Sequence, residues 1–64
     1  MQTDNAFYVR DKDGRLLSEG NIVRDRDGAC WEVVLFGREN CVELQRPGST
    51  YRTRMNASVV VFVC

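Results

Sequence analysis

Val23-Arg24-Asp25-Arg26-Asp27-Gly28-Ala29-Cys30-Trp31-Glu32-Val33-Val34-Leu35 is the stretch on which the fold turns. An Asp-Gly pair between apolar runs is a strong hairpin signal. A two-residue turn at Asp27-Gly28 would set Arg24 against Trp31 and Val23 against Glu32. A three-residue loop, with Gly28 in the left-handed conformation, sets Val23 against Trp31 and Arg24 against Cys30. Only the second register places both large apolar residues on one face, so it is the one expected. The same string stands fourteen residues earlier as Val9-Arg10-Asp11-Lys12-Asp13-Gly14, where the same loop predicts Val9 opposite Leu17. Asp-x-Asp-Gly also invites a calcium loop. However, the first ligand position would fall on Val9 or Val23, and no glutamate stands at the twelfth place. The string is a turn.

Downstream the pattern alternates. Trp31, Val33 and Leu35 share one expected strand face, followed by a polar turn at Gly37-Arg38-Glu39-Asn40. Val42 and Leu44 then point inward, with Cys41, Glu43 and Gln45 outward. Pro47-Gly48 supplies the next reversal, proline presetting the first turn position and glycine the positive φ of the second. That turn predicts Tyr51 opposite Leu44 and Arg52 opposite Glu43. Asn56-Ala57-Ser58 reads as a short turn or a single 3₁₀ turn. The last strand, Val59 to Val63, is apolar on both faces. Either it tucks beneath the N-terminal hairpin, or its outward residue, Val60 or Phe62, meets a second subunit. Helical periodicity is absent and β-branched residues are frequent, so the chain reads as all-β. The expected core is Val9, Leu17, Val23, Trp31, Val33, Leu35, Val42, Leu44, Tyr51 and Met55, with part of the terminal strand.

Glu19-Gly20-Asn21-Ile22-Val23-Arg24, then Gly28, then Trp31-Glu32-Val33-Val34 resembles the opening of SH3-like barrels of the KOW and Tudor type. The resemblance implies a small SH3-like barrel of five or six antiparallel strands, with residues 1–64 one domain, 1–18 its N-terminal hairpin and 19–63 its barrel core. It specifies fold far better than function. Arg24-Asp25, Gly28, Arg46, Gly48, Tyr51, Met55 and Phe62 are similar to a pattern in small proteins of lambdoid prophages, although Tyr51 lies three residues beyond Gly48 rather than next to it. That likeness implies an accessory protein of a mobile element. Gly20, Val23-Arg24, Gly28-Ala29, Trp31 and Pro47-Gly48-Ser49 are similar to the plasmid-borne trimethoprim-resistant dihydrofolate reductases. Their pore uses Val-Gln-Ile-Tyr after the Gly-Ser, where this chain has Thr50-Tyr51-Arg52-Thr53, so the chemistry is not carried over.

Composition narrows the function classes. Nine basic and nine acidic residues cancel, so no overall field favours nucleic acid or an anionic membrane. Eight of the nine cations are arginine, the better residue for forked and stacked contacts. There is no histidine, and the three cysteines, Cys30, Cys41 and Cys64, lack the close spacing of zinc sites, so no metal and no cofactor is expected. The odd cysteine count and a leaderless start at Met1-Gln2-Thr3-Asp4-Asn5 point to a reducing, cytoplasmic setting. No apolar run nears the ~20 residues that cross a bilayer. Lys12 and the carboxylates fall in turn tips, no base can be named for a cysteine nucleophile, and the chain is read as not an enzyme.

What remains is binding. The first expectation is a protein-binding accessory module of phage or prophage origin that docks on a host protein through Arg46, Arg52, Arg54, Tyr51, Tyr8 and Phe36, since arginines and aromatics are the usual interface anchors. The alternative is a KOW- or Tudor-like nucleic-acid binder using the Arg46–Arg54 hairpin, where aromatics beside arginines can stack on bases. A homodimer through Val60 or Phe62 is compatible with either.

Overall fold

The computed structural model describes residues 8–64. Five antiparallel strands, β1 (Ile22–Arg24), β2 (Cys30–Phe36), β3 (Cys41–Gln45), β4 (Arg52–Asn56) and β5 (Val61–Phe62), form one sheet in the order β4-β3-β2-β1-β5. A 3₁₀ turn, Ala57–Val59, separates β4 from β5. The described chain is therefore all-β, a four-strand meander β1 to β4 followed by a fifth strand, β5, that returns to pair with β1. Among the described residues β4 and β5 do not pair, so the ladder is open. The part of the N-terminal hairpin that falls on residues 1–7 lies outside the described residues.

Both repeated loops have the expected register. Val23 faces Trp31 and Arg24 faces Cys30 in the second copy. Arg10 bridges Leu16 in the first, and the Leu17 N–H donates to the Val9 carbonyl at 2.9 Å. Gly14 and Gly28 adopt φ of 83° and 86°, the left-handed region where a Cβ is strained. The first aspartate of each string makes the loop. Asp25 Oδ1 accepts the N–H groups of Asp27 and Ala29, and Asp11 Oδ1 accepts those of Asp13 and Arg15. In each copy a short carboxylate thus satisfies the loop's own inward N–H groups.

The core is Val9, Leu17, Val23, Trp31, Val33, Val42, Leu44, Ala57 and Val60, all buried, with Ala29, Phe36, Met55, Val59 and Phe62 half-buried around it. Leu35 departs from expectation. The β2–β3 register shifts between Val33 and Leu35, so that Val33 faces Leu44 but Leu35 faces Glu43 and Phe36 faces Val42. A bulge swaps the strand's faces beyond it. Leu35 is consequently 49% exposed, and Phe36, expected outside the core, packs against it.

The β3–β4 register also differs, by two residues. Gln45 faces Arg52, Leu44 faces Thr53, and Glu43 faces Arg54. The Pro-Gly turn forms as expected, with Ser49 N–H donating to the Arg46 carbonyl and Gly48 at φ 78°. It does not close the hairpin, however. The Ser49 hydroxyl takes the Tyr51 N–H, Gln45 donates to the Ser49 carbonyl, and the ladder resumes only at Arg46 and Tyr51. A slip of two keeps every side chain on its face but moves Tyr51 past Leu44 to the end of the sheet, where it is 61% exposed.

The terminal run is a 3₁₀ turn and a short strand rather than one strand from Val59 to Val63. Val60 is fully buried, which removes it as an interface residue. The strand does tuck beneath the N-terminal hairpin. Lys12 N–H donates to the Val60 carbonyl at 2.8 Å, and Asp11 Oδ2 accepts the Phe62 N–H at 2.8 Å. At the far end the Asn40 side chain pairs both backbone groups of Arg10, as a strand neighbour would, while its own carbonyl accepts the Ala57 N–H. Asn40 and its neighbour Glu39 both sit at positive φ, 62° and 60°.

Burial works to raise the Asp11 pKa, but the N–H donors of Phe62, Arg15 and Asp13 and the Arg15 charge outweigh it, so the folded pKa lies below 3.8. A depressed folded pKa means stability that is present above the unfolded value and is lost as pH falls through 3.8 toward the lower folded one. Asp11→Asn turns an amide donor or a neutral oxygen toward Phe62 and should cost about 2 kcal/mol at neutral pH, with a flatter melting profile in acid. An unchanged melting temperature would show that the clamp contributes nothing. Conversely, Glu39→Gly removes a left-handed L-residue and should stabilise by about 0.5–1 kcal/mol, read as a raised melting temperature.

Candidate functional site

The expected contact residues separate into two groups on opposite faces of the β3–β4 hairpin. Arg46 and Tyr51 share the core-side face, because they continue the rows of Leu44 and Thr53 past the end of the packed interior. Beneath them lies Trp31, only 5% exposed. The Arg46 guanidinium sits 4.6 Å from the Trp31 ring centroid, and the Tyr51 ring lies 6.0 Å from it, tilted by 40°. Both arrangements are favourable for an aromatic quadrupole.

Asp25 joins this group through the Trp31 indole N–H, which donates to its Oδ2 at 2.9 Å. That indole bond, the Ala29 N–H and then the Asp27 N–H and the Arg46 charge hold the Asp25 carboxyl below its ordinary pKa, against a partial burial that works the other way. The carboxylate is thus a fixed negative charge. Trp31 is held at its edge by Asp25 and covered on its face by Arg46. The hairpin loop of the repeat and the Pro-Gly loop meet there, so two loops distant in sequence build one end of the molecule.

Arg52 and Arg54 lie on the outer face with Glu43. Arg52 reaches Glu43 Oε2 at 3.2 Å and Gln45 Oε1 at 2.9 Å, and Arg54 reaches Glu43 Oε1 at 3.5 Å. One carboxylate serves two guanidinium groups, and the Arg54 side chain remains 74% exposed. Surface pairs of this kind contribute little to stability, so the arginines are tethered rather than fixed. Beside them a shallow groove of about 330 Å³ runs between Leu35, Arg38, Cys41, Glu43 and Arg54. Leu35 enters this face only because of the bulge, a residue that alternation had assigned to the core.

The remaining expected positions are scattered. Tyr8 is 73% exposed and belongs to neither group. Phe36 is turned to the core. Phe62 is half-buried beneath Arg15, whose guanidinium lies 4.1 Å from its ring centroid. The outward side chains of the terminal run are Val61 and Val63, which with Arg24, Asp25 and Phe62 line a second shallow hollow of about 370 Å³. Asp25 and Trp31 were not singled out as site residues from sequence. The spacing Asp-x₅-Trp carries the signal only once the loop's register is known. Among the described residues no cluster of three His, Cys, Asp or Glu is placed to hold a metal, and no helix is long and apolar enough to cross a membrane.

No protein-family model, curated protein or solved structure matches this chain. Trp31→Ala should cost about 3–5 kcal/mol, because it removes the largest core side chain and releases both Arg46 and Asp25. Chemical denaturation measures this directly, and an unchanged midpoint would contradict the tryptophan's placement under the two loops.

Proposed function

We propose that this chain is a small non-catalytic protein-binding module on an SH3-like barrel, docking through the end of the β3–β4 hairpin where Arg46 and Tyr51 flank Trp31. The observation that carries the reading is the stacking of Arg46 on Trp31 beside a largely exposed Tyr51. Arginine, tyrosine and tryptophan are the residues most often found as interface anchors. Here the guanidinium is already ordered by the ring beneath it and by the Asp25 charge, which reduces the entropy lost when a partner is engaged.

The barrel reading is supported by the return of β5 to β1 through a single 3₁₀ turn and by the bulge that bends long β2. The non-catalytic reading is supported by the absence of histidine and by the commitment of Asp11 and Asp25 to backbone and indole donors. The prophage likeness implies an accessory protein of a mobile element, and with the protein-binding reading this gives a cytoplasmic protein of a phage or prophage that acts on a host protein. Self-association through the terminal run would rest on Val61 and Val63.

A second reading, nucleic-acid binding through the same hairpin, is favoured by the exposure of Arg54 and Tyr51. Against it, Glu43 and Asp25 offset the charge of the three arginines in the hairpin. The two readings differ in salt dependence, which is steep for phosphate contacts.

The experiment is affinity capture from bacterial lysate with the tagged chain, alongside Arg46→Ala and Tyr51→Ala variants, with and without nuclease. A discrete protein retained after nuclease treatment by the wild type, and reduced at least tenfold by both variants at unchanged melting temperature, is the expected result. Capture that vanishes with nuclease would install the second reading. Capture indifferent to both substitutions would remove this end of the molecule as the docking site.

A further inference from the structure

Among the described residues the two edges of the sheet, β4 and β5, differ in their cover. Along β5 the N-terminal hairpin takes two outward groups, the Lys12 N–H donating to the Val60 carbonyl just before the strand and the Asp11 carboxylate accepting the Phe62 N–H. On β4 the hydrogen-bonded pairs with β3 can be read from the two ends of the ladder. Arg46 N–H donates to the Tyr51 carbonyl, and Ala57 N–H donates to the Asn40 carbonyl. Hydrogen-bonded and non-hydrogen-bonded pairs alternate in an antiparallel ladder. Thr53 and Met55 therefore bond to β3, while the N–H and C=O groups of Arg52 and Arg54 face away from the sheet. Among the described residues no backbone group pairs with them.

We propose that this edge of β4 accepts an extended peptide segment of a partner protein as an added strand, and that the segment alternates acidic with apolar residues. The proposal rests on the protein-binding reading above and specifies its mode. Strand addition draws affinity from main-chain hydrogen bonds and selectivity from the alternate side-chain rows beside the new strand. One row at this edge is Arg52 and Arg54, two guanidinium groups sharing the single carboxylate of Glu43, with side chains 49% and 74% exposed. Carboxylates of an incoming strand would face that row. The other row is Tyr51, Thr53 and Met55, with Met55 packed against the core and Tyr51 open to solvent, and apolar side chains would extend it. A second copy of the chain is the wrong occupant. Pairing β4 with β4 sets arginines against arginines, and like charges directly opposed across strands are destabilising.

The test uses the full chain, isotope-labelled for amide exchange, and a capped hexapeptide of alternating Glu and Val. Two control peptides replace Glu by Lys or methylate alternate backbone nitrogens. The Arg52 and Arg54 amides should become protected, with binding at least tenfold weaker for the Lys peptide and abolished by N-methylation. Arg54→Glu should reverse the preference between the Glu and Lys peptides, a swap that a merely misfolded variant would not produce. Absence of protection at millimolar peptide, equal binding of the N-methylated peptide, or shifts centred away from β4 would each overturn the proposal. Protection that already grows with protein concentration alone would also overturn it, by assigning the edge to self-pairing. Loss of a lysate partner in Tyr51→Ala with the β4 amides still open would remove only the strand mode. A partner indifferent to Arg46 and Tyr51 would remove the docking reading itself.

Discussion

The carboxylate of Asp11 joins two parts of the chain that are fifty-one residues apart, and much of the rest follows from that join. The terminal strand is two residues long, and too short to hold itself on β1. Its outward N–H at Phe62 would be an unsatisfied donor at the margin of the core without an acceptor from outside the sheet. Asp11 is that acceptor, and Lys12 beside it supplies the donor for the Val60 carbonyl. Because Asp11 is itself fixed by the Asp13 and Arg15 N–H groups, the loop and the strand order each other. Val60 and Leu17 are buried in the one core, and the N-terminal hairpin takes part of the edge that β5 would otherwise present.

The repeat gives the same device a second use. Asp11 and Asp25 hold their own loops identically through Oδ1, and differ only in what Oδ2 reaches. In the first loop it takes a backbone N–H and fastens the fold. In the second it takes the Trp31 indole and, through that ring, sets the place where Arg46 stacks. One motif thus yields a structural clamp in the first loop and a positioned cation–aromatic pair beside the second.

How far the residues alone reveal this depends on which physical signal writes each feature. The two repeat hairpins were legible because Asp-x-Asp-Gly fixes loop length, and loop length with the Val23–Trp31 pairing fixes register. The 3₁₀ turn at Ala57 was legible from the Asn-Ala-Ser string. The bulge was not, because Val33-Val34-Leu35-Phe36 is apolar throughout and either choice of inward residue satisfies alternation. The β3–β4 slip escaped for a related reason. Two residues is the period of a strand, so a shift of two leaves every face unchanged, and only the side-chain bonds of Ser49 and Gln45 distinguish the longer loop. The roles of Asp11 Oδ2 and Asn40 are tertiary, and nothing local to either residue announces its partner.

The same slip decides the character of the surface. Had Arg52 faced Glu43 directly, as the shorter loop would require, each would have satisfied the other and Arg54 would have stood opposite Cys41. Instead Glu43 lies opposite Arg54 and diagonal to Arg52, so it is divided between them at 3.5 and 3.2 Å. An overall neutral chain thereby acquires a local cationic row along β4, while Tyr51 is carried out of the core to the exposed end of the same hairpin. Net charge is blind to this arrangement, since the excess exists only where strand register places two guanidinium groups around one carboxylate. The hairpin's surface character is therefore a consequence of loop length: two extra residues after Pro47-Gly48 convert a neutral cross-strand pair and a core tyrosine into an arginine row and an exposed aromatic.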